Sequence, residues 1–398
     1  MPGLEPVHEV DGNEVRLLHD GAECFPSMLE AIAAAEREIL LEMYWFASDR
    51  VGRRFAEALA DRARAGLCVR IIYDAVGSLE AERSMFEALR EAGCGVREFH
   101  PIAPWRARFR IGLLNRRDHR KMLIVDGCVG FCGGVNLGDP WAPVEEGGGG
   151  FRDDMVRVRG PIAVPMRELF FETWAKLGEQ ESPPSRLAIR PERADGVGVT
   201  LLANHSTLQR IAIRREYLRW IRRAQRSVFL TNSYFLPDWS IRRALIAAAR
   251  RGVDVRVLLP GQSDLPAVRF ASRRLYSRLI RRGVRIFEWS GSVLHSKTAV
   301  VDGVWCTVGT YNLDYRSFLL TSRSRSASRM LRSAAPCRLA FFRISSALRR
   351  WICGSFASAP SSSASWNISS FSFVSSCSVG AAWRGSLGAR CNQWRRRT

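Results

Sequence analysis

At 398 residues the chain has room for two domains of ordinary size, and its formal charge of +21 points to an anionic partner, either nucleic acid or an acidic membrane surface. No apolar run approaches the ~20 residues that cross a bilayer, the N-terminus lacks a basic-then-apolar leader, and the ten Cys contain no CxxC. These features argue against a spanning protein, a disulfide scaffold and a zinc module, and for a soluble or membrane-peripheral chain with buried thiols in a reducing compartment.

The charge is unevenly spread. From Thr321 to Thr398 there is no Asp or Glu but there are 13 Arg and 20 Ser, so most of the excess lies in that tail and residues 1–320 are only moderately basic. The tail has neither helical nor strand periodicity, and runs such as SASAPSSSASW are of low complexity. It reads as a natural disordered extension or as translation after a reading-frame slip near Leu320. Scattered aromatics and Cys favour the slip, because disordered tails are poor in such residues.

Taken in order, residues 38–46 (EILLEMYWF) read as a buried strand and residues 53–65 as a helix. An apolar strand run, GLCVRIIYD, begins at Gly66, with a further short strand, GVREF, from Gly95. HRKMLIVDG then starts at His119. The same order returns: SVFLTNSYF at 227–235, a helix at 240–251, GVDVRVLLP from Gly252, an amphipathic helix at 269–285, GVRIF from Gly283 and HSKTAVVDG from His295. Strand–helix–strand order repeated twice predicts two α/β domains with largely parallel sheets, at 1–185 and 186–320, with the boundary in the Pro- and Gly-containing stretch 182–198 and the aberrant tail at 321–398.

Each signature is a spaced set: His119, Lys121, Asp126, Gly133 and Asn136, then His295, Lys297, Asp302, Gly309 and Asn312. Only three Lys occur in the chain beside 57 Arg, and two of them stand in these sets, as expected where a compact ammonium is required. Asp-Gly at 126–127 and 302–303 predicts hairpins. A two-residue turn would set Gly134 opposite His119 and Thr310 opposite His295, with His119, Lys121 and Asn136 on one face. Paired imidazoles, ammoniums and amides suit phosphoryl transfer without a metal: one His as nucleophile, the other as general acid and base. The candidate catalytic sets are therefore His119, Lys121, Asp126 and His295, Lys297, Asp302, with both Asp read as fixing the turn. Asn136, Asn312, Gly134 and Thr310 are the candidate phosphate-binding positions. His8, His19, His100 and His205 read as structural, the Gly147–Gly150 run as a flexible loop, and no cofactor or metal is expected.

The two HxKxxxxD(x6)GxxN motifs resemble the phospholipase D superfamily. LLEMYWFASD, DHRKMLIVDG, GGVNLGD, DMVRVRGPIA, NSYFLPD and VGTYNLDYRS are similar to its bacterial cardiolipin synthase branch, in the short type without N-terminal transmembrane helices. The resemblance implies tandem phospholipase D-like α/β/α domains about a pseudo-twofold axis with the active site at their interface. It also implies transfer of a phosphatidyl group between two phosphatidylglycerol molecules through a phosphohistidine, at the cytoplasmic face of a bacterial cell membrane. Under it His119 is the expected nucleophile, His295 the acid and base, and Asp153 the acid that orients His119. The matching acid for His295 is expected just after the FLL at 318–320, where this chain has TSRSRS. Residues 105–121, with Trp, Phe and Leu among six Arg and a Lys, read either as a membrane-contacting segment or as a solvated basic loop. Phospholipase or nucleic-acid phosphodiesterase activity, and a lipid-binding remnant without turnover, are the alternatives. Nucleic acid is not the expected partner, and the oligomeric state is left open.

Overall fold

The computed structural model describes residues 10–102, 117–178, 197–203, 207–262, 266–313 and 340–345. In the first half, β1 (Val10–His19) and α1 (Asp20–Ala33) precede β2 (Glu38–Met43), α2 (Arg50–Arg64), β3 (Cys68–Asp74), α3 (Arg83–Glu91), β4 (Gly95–Phe99), β5 (Lys121–Val125), β6 (Val129–Gly133), β7 (Asp154–Arg159) and α4 (Ala163–Lys176). The second half repeats the order with β8 (Val197–Ala203), α5 (Thr207–Arg223), β9 (Ser227–Asn232), α6 (Trp239–Arg250), β10 (Asp254–Pro260), α7 (Pro266–Ile280), β11 (Arg285–Trp289), β12 (Lys297–Val301), β13 (Trp305–Gly309) and β14 (Ala340–Ser345). Each half is a seven-stranded sheet, ordered β4-β3-β2-β5-β6-β7-β1 and β11-β10-β9-β12-β13-β14-β8, and the antiparallel β1–β8 pair joins them into one array.

The expected largely parallel sheets are corrected to mixed ones. Only β2, β3 and β4, and likewise β9, β10 and β11, run parallel. Those strands are linked through helices, which allow a crossover, whereas the short turn between β5 and β6 forces an antiparallel return.

Alternation along the strands divides the core into layers. Ile39, Leu41 and Met43 of β2 and Leu123 and Val125 of β5 pack under α1, α2 and α3, and Ala299 and Val301 of β12 pack under the helices of the second half. Leu40, Met122 and Ile124 point to the other face, where α4 and both sheets share a third cluster with Val300, Cys306 and Val308. The two helices that follow β2 and β9 are capped alike: Asp49 accepts from the Gly52 N–H at 3.0 Å, and Asp238 from the Ser240 and Ile241 N–H groups at 2.6 and 3.1 Å. Gly66 and Gly252 end these helices at φ 91° and 87°.

The stretch 182–198 lies almost wholly outside the described residues, as does most of 105–121. Of the tail, only Ala340–Ser345 are described, and β14 holds the place in the second half that β7 holds in the first. Among the described residues no helix is long and apolar enough to cross a membrane.

Candidate active site

Both hairpins turn on their Asp. Asp126 and Asp302 sit at φ 52°, a conformation open to Asp and Asn but costly for most side chains. Asp126 accepts from the backbone N–H groups of Glu36, Arg37 and Glu38 at 2.9, 2.9 and 2.8 Å. Asp302 accepts from Gln225, Arg226 and Ser227 at 2.9, 2.8 and 2.8 Å. They tie each turn to the start of β2 or β9, at the end of the sheet remote from His119 and His295. This is the turn-fixing role read for them in the sequence, and it takes both out of the candidate catalytic sets as groups that could touch substrate.

The turn carries one residue more than expected. Cys128 N–H closes it on Val125 O at 3.0 Å, but the ladder resumes at Val125–Val129, and in the second copy at Val301–Trp305. The register moves by one, so Gly134 and Thr310 do not stand opposite His119 and His295. Gly134 has another duty: a Cβ there would lie 2.0 Å from Asp153 Oδ1, and its N–H donates to Asp154 O at 2.9 Å. It is the space for a carboxylate rather than a phosphate ligand. Thr310 is buried. Asn136 Oδ1 accepts from Trp45 N–H at 3.2 Å and Asn312 Oδ1 from Ser233 Oγ at 3.0 Å, which turns each amide by its oxygen.

The two motifs meet through Asp153. The strand-like segment at Arg152 runs beside Leu294, with Arg152 N–H donating to Val293 O at 2.9 Å and His295 N–H to Arg152 O at 2.8 Å. Asp153 Oδ2 then accepts from His295 Nδ1 at 2.6 Å and from Trp141 Nε1 at 2.9 Å, while Oδ1 takes the Asp154 N–H at 2.9 Å. The expected pairing with His119 is thus corrected: this acid of the first half serves the histidine of the second. His119 instead stacks on Tyr44, with ring centroids 4.0 Å apart and planes within 18°. Lys121 and Lys297 each donate to the carbonyl of the His two residues before, Lys121 at 2.9 Å.

Over half of the chain matches the family described as "Cardiolipin synthase, PLD-like domain", at residues 28–142 and 217–325, with one His-Lys pair in each segment. The chain belongs to that family. The cardiolipin synthase of Geobacillus sp. (strain WCH70) is 37% identical over 80% of this chain and 64% of its own length. That of Geobacillus kaustophilus (strain HTA426) is 37% identical over 77% and 61%. The chain spans about three fifths of the length of these curated relatives. In fold it resembles the crystal structure of phosphatidylserine synthase from Haemophilus influenzae Rd KW20, with a TM-score of 0.57 at 12% identity over 86% of this chain and 84% of that one.

In this cardiolipin synthase-family site the charges act on one another across the two halves. Burial, followed by the charges of Lys121, Lys297 and His295, pushes His119 well below the ordinary histidine range. Lys121 is brought down to about 7, first by burial and then by Lys297. Burial would raise Asp153, but His295 and Lys297 and the hydrogen bonds from His295 and Trp141 hold it far below the usual carboxylate range. His295 is lowered by burial and Lys297 against the opposing pull of Asp153. The site at rest therefore holds an ionised Asp153 and neutral imidazoles. Among the described residues no carboxylate is hydrogen-bonded to His119, and no group of three His, Cys, Asp or Glu side chains is gathered to hold a metal ion.

Residues that the motif spacing did not reveal complete the surroundings. Trp141 meets His295 edge-on at 5.4 Å. His19, read as structural, pairs with Asp154 at 2.8 Å, and Asp154 also receives Ser296 Oγ and Arg152. Two arginines beside the motif are buried as ion pairs: Arg120 with Glu42 at 3.2 Å and Arg117 with Asp74 at 3.7 Å. The Gly147–Gly150 run, expected to be flexible, folds back on Asp139 and Ala142 through N–H bonds of Gly149 and Gly150 at 3.0 and 2.9 Å.

Proposed function

We propose that this chain transfers a phosphatidyl group from one phosphatidylglycerol to the glycerol hydroxyl of another, giving cardiolipin and glycerol. The observation that carries the reading is the His295–Asp153 bond, which joins a histidine of one motif to the half that carries the other. A phosphodiester anion entering between the two ammoniums offsets the repulsion that, with burial, keeps the imidazoles neutral, so His295 takes up a proton from solvent on Nε2 as the lipid binds. His295, with Nδ1–H donated to Asp153, presents Nε2 and gains a partner for its imidazolium form, which suits it as general acid. His119, stacked on Tyr44 and kept neutral by its burial, suits the nucleophile.

In the first step a ring nitrogen of His119 bonds to phosphorus, the phosphorus–oxygen bond to glycerol breaks, and the leaving oxygen takes a proton from His295. In the second, the hydroxyl of the other lipid gives its proton to His295 as its oxygen bonds to phosphorus and the phosphorus–nitrogen bond breaks. Lys121 and Lys297 neutralise the equatorial oxygens, and the amide nitrogens of Asn136 and Asn312 donate to them. The lipid is met at a membrane surface to which the chain attaches peripherally, on the cytoplasmic side. Purified chain added to phosphatidylglycerol vesicles should yield cardiolipin and glycerol in equal amounts. Phosphatidic acid as the main product would replace transfer by hydrolysis, and cleavage of DNA alone would overturn the lipid reading.

One observation favours a second reading, lipid binding without turnover: among the described residues His119 lacks a carboxylate. Vesicle binding with no product of either kind would establish it.

A further inference from the structure

The two histidines are held by different means. His295 is fixed by a carboxylate and the edge of Trp141, while His119 lies flat on Tyr44. The same Tyr44 ring receives the Lys121 ammonium over its face at 4.8 Å. The twofold relation makes this asymmetry specific. Met43 pairs with Lys121 and Asn232 with Lys297, so the residue matching Tyr44 is Ser233, which has no ring and bonds Asn312 instead.

We propose that Tyr44 is the positioning residue for His119, setting the plane of the attacking imidazole and the place of the Lys121 ammonium from a single aromatic ring. This rests on the phosphatidyl-transfer reading above. A carboxylate that orients a histidine also stabilises its proton, whereas a stacked ring orients it without adding charge. The nucleophile is thereby kept neutral and directed, and the acid keeps its carboxylate.

Tyr44 is itself held. Ser78 Oγ donates to its carbonyl at 3.4 Å, and Gly77 packs so closely that a Cβ there would lie 2.0 Å from the same oxygen. Asp74 accepts from Val76 and Gly77 N–H groups at 2.9 and 3.1 Å and from Asp118 N–H at 2.8 Å. One buried carboxylate thus ties the loop under Tyr44 to the residue preceding His119.

The test uses the full chain as wild type, Tyr44→Phe, Tyr44→Leu and Tyr44→Ala, with histidine resonances followed by NMR and His119 assigned through His119→Gln. The charged groups acting on His119 (Lys121, Lys297, His295 and Arg117) are unchanged in the Tyr44 variants. In Tyr44→Phe, His119 should keep its ring-current-shifted signal and titration, with transfer within about twofold of wild type, because the stacking face remains. In Tyr44→Leu, which retains apolar packing, and in Tyr44→Ala, the ring-current shift should vanish and the His119 midpoint should rise towards the ordinary histidine value, while the His295 signals stay in place. On vesicles kcat should fall by roughly tenfold or more with KM nearly constant, as expected when an attacking group is misplaced. An unchanged His119 signal in both Tyr44→Leu and Tyr44→Ala, or unchanged kcat in an active protein, overturns the proposal. A wild-type chain without transfer overturns the functional reading instead, and the spectra still decide the role of Tyr44.

Discussion

Asp153 belongs to one half of the chain and holds a histidine of the other, so its removal should be felt at His295 and not at the turn or the core. Asp153→Asn keeps the shape but loses the charge that stabilises the imidazolium. Transfer should drop on the order of 10³-fold in kcat with folding preserved, as measured on phosphatidylglycerol vesicles. Gly134→Ala should imitate it, because the added methyl group would meet Asp153 Oδ1 at 2.0 Å and displace the carboxylate. Lys121 gives a second test. Its midpoint of about 7 means that the ammonium is present below that pH and lost above it. Sulfate, whose charge is constant in this range, should therefore bind more weakly as pH rises from 6 to 8, by at most about tenfold per unit. Calorimetry would read this slope, and Lys121→Met should flatten it. The pH dependence of folding runs the other way: the unfolded chain holds protons that the buried Lys121 and His119 give up, so their burden on stability eases as pH rises from their folded midpoints towards the ordinary lysine and histidine values.

The hairpins divide what could be read in the chain from what could not. The period-two pattern, the Asp-Gly signal and the repeat located β5, β6, β12 and β13, and the helix-ending glycines at 66 and 252 located α2 and α6. The register could not be read, because the extra turn residue depends on the carboxylate of Asp126 capturing three N–H groups from a strand some ninety residues earlier. Strand direction was misjudged for the same reason, since β2 and β5 are neighbours in space without being neighbours in sequence. The duplicated Asp is thus a structural signal in a catalytic-looking motif. Asp302→Ala would leave three backbone donors without their acceptor and place a less tolerant residue at positive φ. It should cost about 1–3 kcal/mol in denaturant unfolding while the surviving folded fraction still turns over. Asp302→Asn should recover part of that loss.

At the scale of the molecule, duplication made half of the site legible. Matching spacings named His119, Lys121, His295 and Lys297, but spacing within one copy cannot show which acid crosses to which histidine. Asp153 follows His119 in the chain and reaches His295 because Arg152 runs beside Leu294 across the twofold. By the same relation, an acid introduced just after Leu320, where the chain has TSRSRS, is expected to serve His119 rather than His295. Such a site is built within one polypeptide, which leads to a strict expectation. His119→Ala and His295→Ala should each abolish transfer, the first by removing the nucleophile and the second by removing the proton donor. Mixing the two purified variants should restore nothing, because each folded chain retains only one of the two imidazoles at its own junction, and exchange of halves would require breaking the β1–β8 pair and the shared core of α4. Recovery of turnover on mixing would mean that the working site forms between chains, and the intramolecular scheme would fall with it.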